Sequence, residues 1–343
     1  MKKALIHYFS GTGNSLMAAK YLGNQEELSE YEFTFHAIEN GQCGHLKDYS
    51  LHLFFFPVYA TSVPHIVTKY IHSLEDGGMA KTVVISTNGK ISTRIRDGYQ
   101  GWALHQARIC LKLRHYDVIM SDTLDLPFNV CNVAPPRNKD ANQIIMEEGL
   151  KPLNRIANRI AKEQTYHRSI LPINFLWSIP FGIAYYFIGR RGFGKLFAAD
   201  NSCNHCNRCV KECPVHTIQS DGKRIRWGFR CEGCLRCINN CPQKSIQTSS
   251  IRLLVILVPM IMNPFNLLYP VLKDRFFNHT TPIITDIIRV LYSVTSLVLL
   301  WLILDQCINI LSRFAFFRKL FGFGHTQFFG RYHANKIKAA KKV

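Results

Sequence analysis

The chain has 343 residues, of which 47% are hydrophobic and 19% charged, so it is long enough to bury more than one domain core. Lys and Arg outnumber Asp and Glu by 42 to 23, but the basic residues are spread along the chain and lie beside apolar segments. This distribution favours contact with anionic lipid or an acidic partner over nucleic-acid binding. The first apolar run is too short for a secretory signal, so the body of the chain is expected to face the cytoplasm.

Short apolar runs alternate with helical patterns between residues 1 and 166. The strand-like runs are KALIHYF, LHLFFFPVY, KTVVIST and DVIMSDTL, and the helical patterns between them are GNSLMAAKYLG, VPHIVTKYIHSL and WALHQARICLKL. Strands separated by helices predict an α/β domain with a parallel sheet covered on both faces. Apolar residues at three- and four-residue spacing in 153–161 predict the last helix of this domain, 1–166.

A glycine-rich loop, SGTGNS, follows the first predicted strand and precedes a helical pattern. It suits a phosphate, because glycines allow close backbone approach, hydroxyls can donate, and a helix start presents free amides. It lacks the Lys of a Walker loop and the spacing of a dinucleotide fold. Two further loops follow strands and should lie at the same sheet edge. The candidate binding residues of the three loops are Ser10, Gly11, Thr12, Gly13, Asn14, Ser15, Pro57, Val58, Tyr59, Ala60, Thr87, Asn88 and Gly89.

An uncharged stretch at 169–189 separates this domain from a cysteine-rich one. It is long enough to span a bilayer, but Pro172 and Pro180 interrupt it. We therefore expect 167–199 to be a buried or interfacial apolar linker.

Eight of the 12 cysteines lie in a predicted domain at 200–249, in two similar halves that begin at Cys203 and Cys231. Each half reads C-x2-C-x2-C-x3-C-P, the pattern of bacterial ferredoxins with two 4Fe-4S clusters. In that fold the fourth cysteine of each half serves the other half's cluster. Structural zinc and disulfides are the alternatives, but zinc sites normally show two CxxC pairs rather than triple-cysteine runs. The expected ligand sets are Cys203, Cys206, Cys209 and Cys241 for one cluster, and Cys231, Cys234, Cys237 and Cys213 for the other.

Two apolar stretches without charges, 253–272 and 290–304, predict a membrane hairpin within 250–311. The tail that follows, 312–343, contains Lys and Arg but no Asp or Glu. By the positive-inside rule, this places the ends of the hairpin on the cytoplasmic face of the membrane. The alternative to a membrane hairpin is a pair of helices buried against the chain's own domains. Charged residues near the second stretch favour this alternative.

The motifs SGTGNS, PVYA, STNG and LPFN resemble the flavodoxin-like half of flavodoxin–ferredoxin fusion proteins, and GRYH at 330–333 resembles the segment after their ferredoxin half. The resemblance implies a flavodoxin-like doubly wound parallel sheet, then a small α+β ferredoxin domain. It also implies FMN, with its phosphate on the first loop and its ring between the Tyr59 and Asn88 loops. The apolar block at 250–322 departs from the family pattern and adds a C-terminal helical region.

Together these features predict a membrane-associated protein that moves electrons between FMN, two 4Fe-4S clusters and a redox-protein partner. One alternative is a reductase of a small molecule or quinone at the flavin. Another is a ferredoxin subunit whose flavodoxin-like fold serves for docking without flavin. No set of catalytic residues is recognisable in the sequence, so an enzyme and an electron carrier both stay open.

Overall fold

The computed structural model describes residues 1–90, 99–169, 172–261, 267–276 and 282–334. The strands are β1 Lys2–Tyr8, β2 Tyr31–Ala37, β3 Leu51–Pro57, β4 Lys81–Lys90, β5 Asp117–Pro127, β6 Tyr166–His167, β7 Phe197–Ala199, β8 Ile218–Ser220, β9 Ile225–Trp227 and β10 Ile246–Thr248. The helices are α1 Asn14–Gly23, α2 His65–Ser73, α3 Ala103–Lys112, α4 Lys139–Leu150, α5 Pro152–Ala161, α6 Pro172–Ala184, α7 Arg190–Leu196, α8 Arg208–Lys211, α9 Arg236–Asn240, α10 Ser250–Ile261, α11 Tyr269–Phe276, α12 Pro282–Leu311 and α13 Ala315–Gly322.

Six parallel strands form one sheet in the order β2-β1-β3-β4-β5-β6. The first five follow the flavodoxin order 2-1-3-4-5, and β6 adds a two-residue edge strand. The predicted flavodoxin-like doubly wound sheet is therefore confirmed. β2 is not among the predicted strand runs, because this edge strand leaves Glu32, Thr34 and Phe35 exposed and lacks a clear apolar pattern.

Helices cover both faces of this sheet. Most residues of β3 and β4 are therefore buried, and most of these buried residues are apolar or small. On one face α1, α4 and α5 bury Leu22, Met146 and Ile156 against alternate residues of the strands. On the other face α2 and α3 bury Ile71 and Leu111. Buried strands with helices on both sides produce the continuous apolar runs seen in the sequence.

Residues 197–248 form a small α+β unit, as predicted. β7 pairs with β10 and β8 pairs with β9, both antiparallel. Phe197, Trp227 and Ile238 form its core together with cysteine side chains. The short helices α8 and α9 occupy equivalent places in the two halves and carry the third cysteine of each motif.

The apolar linker becomes α6, a π-helical turn at Tyr185–Gly189, and α7. α6 exposes large apolar side chains, including Leu176 at 64% and Trp177 at 72%. Pro172 is the first residue of α6 and Pro180 lies inside it, so neither proline prevents helix formation here. The exposed apolar face fits an interfacial linker better than a buried one.

Within the described residues, one helix is long and apolar enough to cross a membrane: Ile283–Leu311, which is 29 residues long. It spans about 44 Å, more than the hydrocarbon core of about 30 Å. α10 has 12 residues, so at about 18 Å it is too short to cross alone. Residues 262–266 and 277–281 of the predicted hairpin and 335–343 of the predicted tail lie outside the described residues.

The start of α10 and the end of α12 both contact α7 of the linker. The Lys195 carbonyl oxygen accepts a hydrogen bond from Arg252 Nη1 at 3.3 Å, near the start of α10. The Lys195 Nζ forms a buried ion pair with Asp305 Oδ2 at 2.7 Å, near the end of α12. These two ends of the apolar block therefore lie close to each other.

Candidate iron–sulfur centre and the loops beside it

Four of the predicted ligands line one small cavity in the ferredoxin-like unit. They are Cys203, Cys206, Cys209 and Cys241. The first three lie on one tight loop, in which His205 and Asn207 have positive φ angles of 54° and 57°. The fourth comes from the other half of the repeat, just before β10. Its Sγ lies 3.2 Å from the Ser245 hydroxyl.

The other four predicted ligands line a second cavity. They are Cys213, Cys231, Cys234 and Cys237. The loop again has two positive φ angles, 66° at Gly233 and 58° at Leu235, at the positions of this motif that correspond to those in the first loop. The sequence repeat is therefore also a repeat of backbone conformation. The structure brings all eight predicted cysteines together in the two crossed groups, although their role as ligands stays a prediction.

Burial of these thiols has a chemical consequence. It raises the pKa of Cys231 to about 12 and the pKa of Cys209 and Cys234 to about 11. A thiol with such a pKa stays protonated at neutral pH, whereas iron is ligated by the thiolate. A positively charged metal centre favours the thiolate form and so fits this donor set. In the described residues no three His, Cys, Asp or Glu side chains are placed to hold a single metal ion. A cubane does not need such a group, because each of its four cysteines binds a different iron atom.

The two cavities differ in their access to solvent. Cys206 of the first set is exposed at the protein surface. In the second set Cys213 and Cys231 are buried, and Cys234 contacts the flavodoxin-like domain. The first cavity therefore faces outward, and the second lies at the boundary between the two domains.

The predicted phosphate loop follows β1 and leads into α1, as expected. Its hydroxyl groups already have partners within the protein. The Ser10 hydroxyl accepts from the Gly13 amide at 3.1 Å, and the Ser15 hydroxyl lies 2.9 Å from that of Thr87. The Thr12 hydroxyl accepts from Asn129. The Ser10 and Thr12 hydroxyls are acceptors in these bonds, so each keeps its own O–H hydrogen to donate.

The loops predicted to flank a flavin ring also meet protein groups. Tyr59 packs edge-on against Phe9 and pairs with Ser62 in an isolated β-bridge, in the turn that contains Pro57, Val58 and Ala60. The Asn88 amide donates to Thr123 at 2.8 Å, and a Cβ at Gly89 would contact the Phe128 ring. These loops lie at the carboxyl edge of the sheet, where open parallel sheets bind ligands. The Asn88 side-chain oxygen is buried and has no hydrogen-bond partner among the described residues.

The ferredoxin-like unit covers the phosphate loop. A Cβ at Gly11 would collide with the carbonyl oxygen of Cys234. Arg236 donates to the Ser10 carbonyl oxygen at 2.8 Å and pairs with Glu39 at 2.6 Å. The loop of the second cysteine set is therefore fixed directly on the loop predicted to bind the phosphate.

The segment that contains GRYH covers the same loop from another side. The Ala334 amide donates to the Thr12 carbonyl oxygen at 3.1 Å. The Tyr332 hydroxyl donates to the Asn14 side-chain oxygen, and its backbone amide donates to Asn239 at 2.8 Å. In this arrangement the residues present do not fit an FMN phosphate. GRYH is recognisable in the sequence only by resemblance, and its contact with the loop is not predictable, because nothing local signals a pairing between segments so distant in the sequence.

Comparison with known proteins supports one of the two domains directly. Residues 195–242 match the family described as 4Fe-4S dicluster domain. No curated protein matches the sequence. Among solved structures, the chain is similar to a flavodoxin from the domain Archaea, at 13% identity over 47% of this chain and 97% of that chain, with a TM-score of 0.34.

Two other flavodoxins show a similar level of likeness. Flavodoxin 2 from Bacillus cereus is 15% identical over 47% of this chain and 99% of its own, with a TM-score of 0.34. A Fusobacterium nucleatum flavodoxin bound to flavin mononucleotide is 11% identical over 48% and 100%, with a TM-score of 0.33. At these scores the fold assignment rests on the strand order of this chain. That order and the dicluster match define a flavodoxin-like domain joined to a 4Fe-4S ferredoxin domain, the predicted fusion.

Proposed function

We propose that the chain is a membrane-associated electron-transfer protein that holds two 4Fe-4S clusters. The observation that carries this proposal is the pair of cavities, each lined by four cysteines drawn from both halves of the repeat. A 4Fe-4S cluster exchanges one electron at a time, and the protein controls its burial and hydrogen bonding. The chain thus supplies one outward-facing and one inward-facing electron-transfer site.

The outward-facing site is the place for a redox-protein partner. Cys206 is exposed, and Arg208 lines the cavity. Lys211 and Lys244 follow Cys209 and Cys241 by two and three residues in the sequence. Arg208 pairs with Glu212 at 2.7 Å, whereas the two lysines are exposed. An acidic partner surface would complement this charge and speed the encounter.

Membrane attachment is supported by the apolar helices. α12 is long enough to cross a bilayer, and the described part of α6 exposes further apolar side chains. Arg313, Arg318 and Lys319 follow α12 without an acidic residue. By the positive-inside rule these residues favour the cytoplasmic face for this end of the helix and for the redox domains that it contacts.

FMN stays a prediction from the sequence motifs. The phosphate loop lies where a flavodoxin-like sheet would present it, but Cys234 and Ala334 pack on it. FMN binding there requires both to move away. These contacts favour a second candidate function, in which the flavodoxin-like domain docks and shields the inner cysteine set without a flavin.

Metal and flavin analysis tests the cofactor part of the proposal. The protein is purified anaerobically in mild detergent, and iron, acid-labile sulfide and flavin are measured per chain. Two cubanes require about eight iron and about eight sulfide. About one flavin in addition would support the flavin-containing electron carrier, and its absence would support the docking role. Iron near zero would contradict the proposal.

A fractionation experiment tests membrane attachment separately. Membranes are washed with alkaline carbonate, which removes peripheral proteins. We expect the chain to stay in the membrane fraction. A matched variant that lacks residues 282–311 should be released into the soluble fraction, and release of the full chain by carbonate would contradict a membrane-spanning helix.

A further inference from the structure

A cavity of about 670 Å³ lies between the flavodoxin-like domain, the linker and the ferredoxin-like unit. We refer to it as the interdomain cavity. Its apolar surface includes Ile66 and Tyr70 of α2 and Phe229 of the ferredoxin-like unit. The volume falls within the range of small-molecule sites, which is about 300–1,000 Å³. A planar apolar molecule of mononucleotide size would fit such a space.

The rim of the interdomain cavity carries unpaired positive charge. Lys69, Arg191 and Arg230 line it, and all three are exposed. Within the described part of the chain, none of these three side chains forms an ion pair. Three cations around one opening favour an anionic group of a ligand, and Arg binds phosphate with two parallel hydrogen bonds.

The acidic residues in the cavity do not cancel this charge. Glu232 is paired with Arg190 at 3.3 Å and lies 3.3 Å from the His65 ring nitrogen. Glu39 is paired with Arg236 at 2.6 Å. Each carboxylate therefore has its own cation, which leaves the rim positive.

The interdomain cavity also adjoins the inner cysteine set. Glu232 lies between Cys231 and Cys234 in the sequence, and Pro214, which follows Cys213, lines the cavity wall. A molecule bound here would contact the loop that holds the second set. The rim and the cysteine loop thus place an anion-binding surface beside an electron-transfer centre.

We propose that the interdomain cavity binds a phosphorylated aromatic molecule of mononucleotide size. The phosphate lies among Arg191, Arg230 and Lys69, and the ring lies against the apolar wall. The role of this bound molecule as electron donor or acceptor of the second cysteine set rests on the proposed function. The binding of the molecule in the cavity does not depend on that function.

FMN is a suitable probe, because it combines a phosphate with a planar aromatic ring, and its fluorescence changes when it is bound. The holoprotein in detergent micelles is titrated with FMN at low and high salt. We expect binding that weakens at least tenfold in the double variant Arg191→Ala, Arg230→Ala. The matched control, Lys139→Ala with Lys162→Ala, removes two exposed cations on α4 and just after α5 and should bind FMN like the wild type.

A third variant, Thr12→Ala, separates this site from the loop that the sequence predicts for the FMN phosphate. Loss of binding in Thr12→Ala with normal binding in the rim variant would overturn the proposal, as would no FMN binding to the wild type. Iron and sulfide are measured on each preparation. Failure of the proposed function would appear there as missing metal, whereas failure of this inference would appear as unchanged metal without rim-dependent FMN binding.

Discussion

Paired cysteine substitutions test whether the two cluster sites share ligands across the repeat. With crossed sets, Cys203→Ala combined with Cys241→Ala removes two ligands from one site and leaves the other complete. Cys203→Ala combined with Cys213→Ala removes one ligand from each site. Ligand sets confined to each half would give the opposite pattern, so the two double variants separate the arrangements.

The expected difference is large. A cubane contains four irons, so the Cys203/Cys241 variant should retain about four irons per chain, and the Cys203/Cys213 variant should fall toward zero. The structure predicts this because each cavity contains a single cysteine from the opposite half. Iron and sulfide analysis measures the loss, and electron paramagnetic resonance after reduction counts the remaining clusters.

Two controls calibrate this experiment. Each single variant should retain about four irons, since one site stays complete. Cys307→Ala changes an exposed cysteine on α12, outside both sets, and should retain the wild-type iron content. Four irons in the Cys203/Cys213 variant together with almost none in the Cys203/Cys241 variant would refute the crossed arrangement.

Three further predictions concern an ion pair at the domain boundary, a buried histidine of the sheet and an ion pair between α7 and α12. Arg236→Ala leaves the Glu39 carboxylate without its partner at the domain boundary, and a loss of about 2 kcal/mol should lower the melting temperature. Burial lowers the pKa of His52 to about 4. The unfolded state therefore binds more protons below pH 6.5, and His52 should contribute about 2 kcal/mol to the loss of stability between pH 7 and pH 5, the part that His52→Gln removes. Burial also lowers the pKa of the neighbouring His7, which adds its own loss in the same direction. Asp305→Leu leaves Lys195 buried without a counter-ion and should cost about 3 kcal/mol, measured as a lower melting temperature in detergent.

Each of these predictions has its own contrary outcome. An Arg236→Ala protein that melts like the wild type would show that the guanidinium contacts contribute nothing. Parallel pH profiles for the wild type and His52→Gln would exclude this histidine as the acid-sensitive group. Replacing both Lys195 and Asp305 by apolar residues should recover stability lost in Asp305→Leu. A double variant no more stable than Asp305→Leu would contradict the ion-pair explanation.

The central sheet was predictable because its strands are buried on both faces. β1, β3, β4 and β5 each contain an apolar run of at least three residues, and helices with clear amphipathic spacing separate them. β2 and β6 escaped prediction for physical reasons. β2 is a half-exposed edge strand, and β6 contains only Tyr166 and His167, too few residues to form a pattern.

The candidate site was predictable as far as local spacing reaches. The cysteine motifs indicate all eight of the cysteines that line the two cavities, because three of the four cysteines in each set belong to one tight loop. The closure of the phosphate loop depends on Arg236 and Tyr332, which belong to α9 and to the GRYH segment, far from the loop in the sequence. No local sequence pattern marks either residue as a contact of the loop. Their contacts become visible only when the domains are seen packed together in the structure.

The contact between Ala334 and Thr12 constrains the order in which the chain can be assembled. The first domain leaves the ribosome well before the apolar block, and domains generally fold as they are synthesised. The last described segment becomes available only after α12 has been made. The ferredoxin-like unit, which covers the same loop through Cys234 and Arg236, is synthesised before α12. The side of the loop that Ala334 covers is therefore the last to be closed.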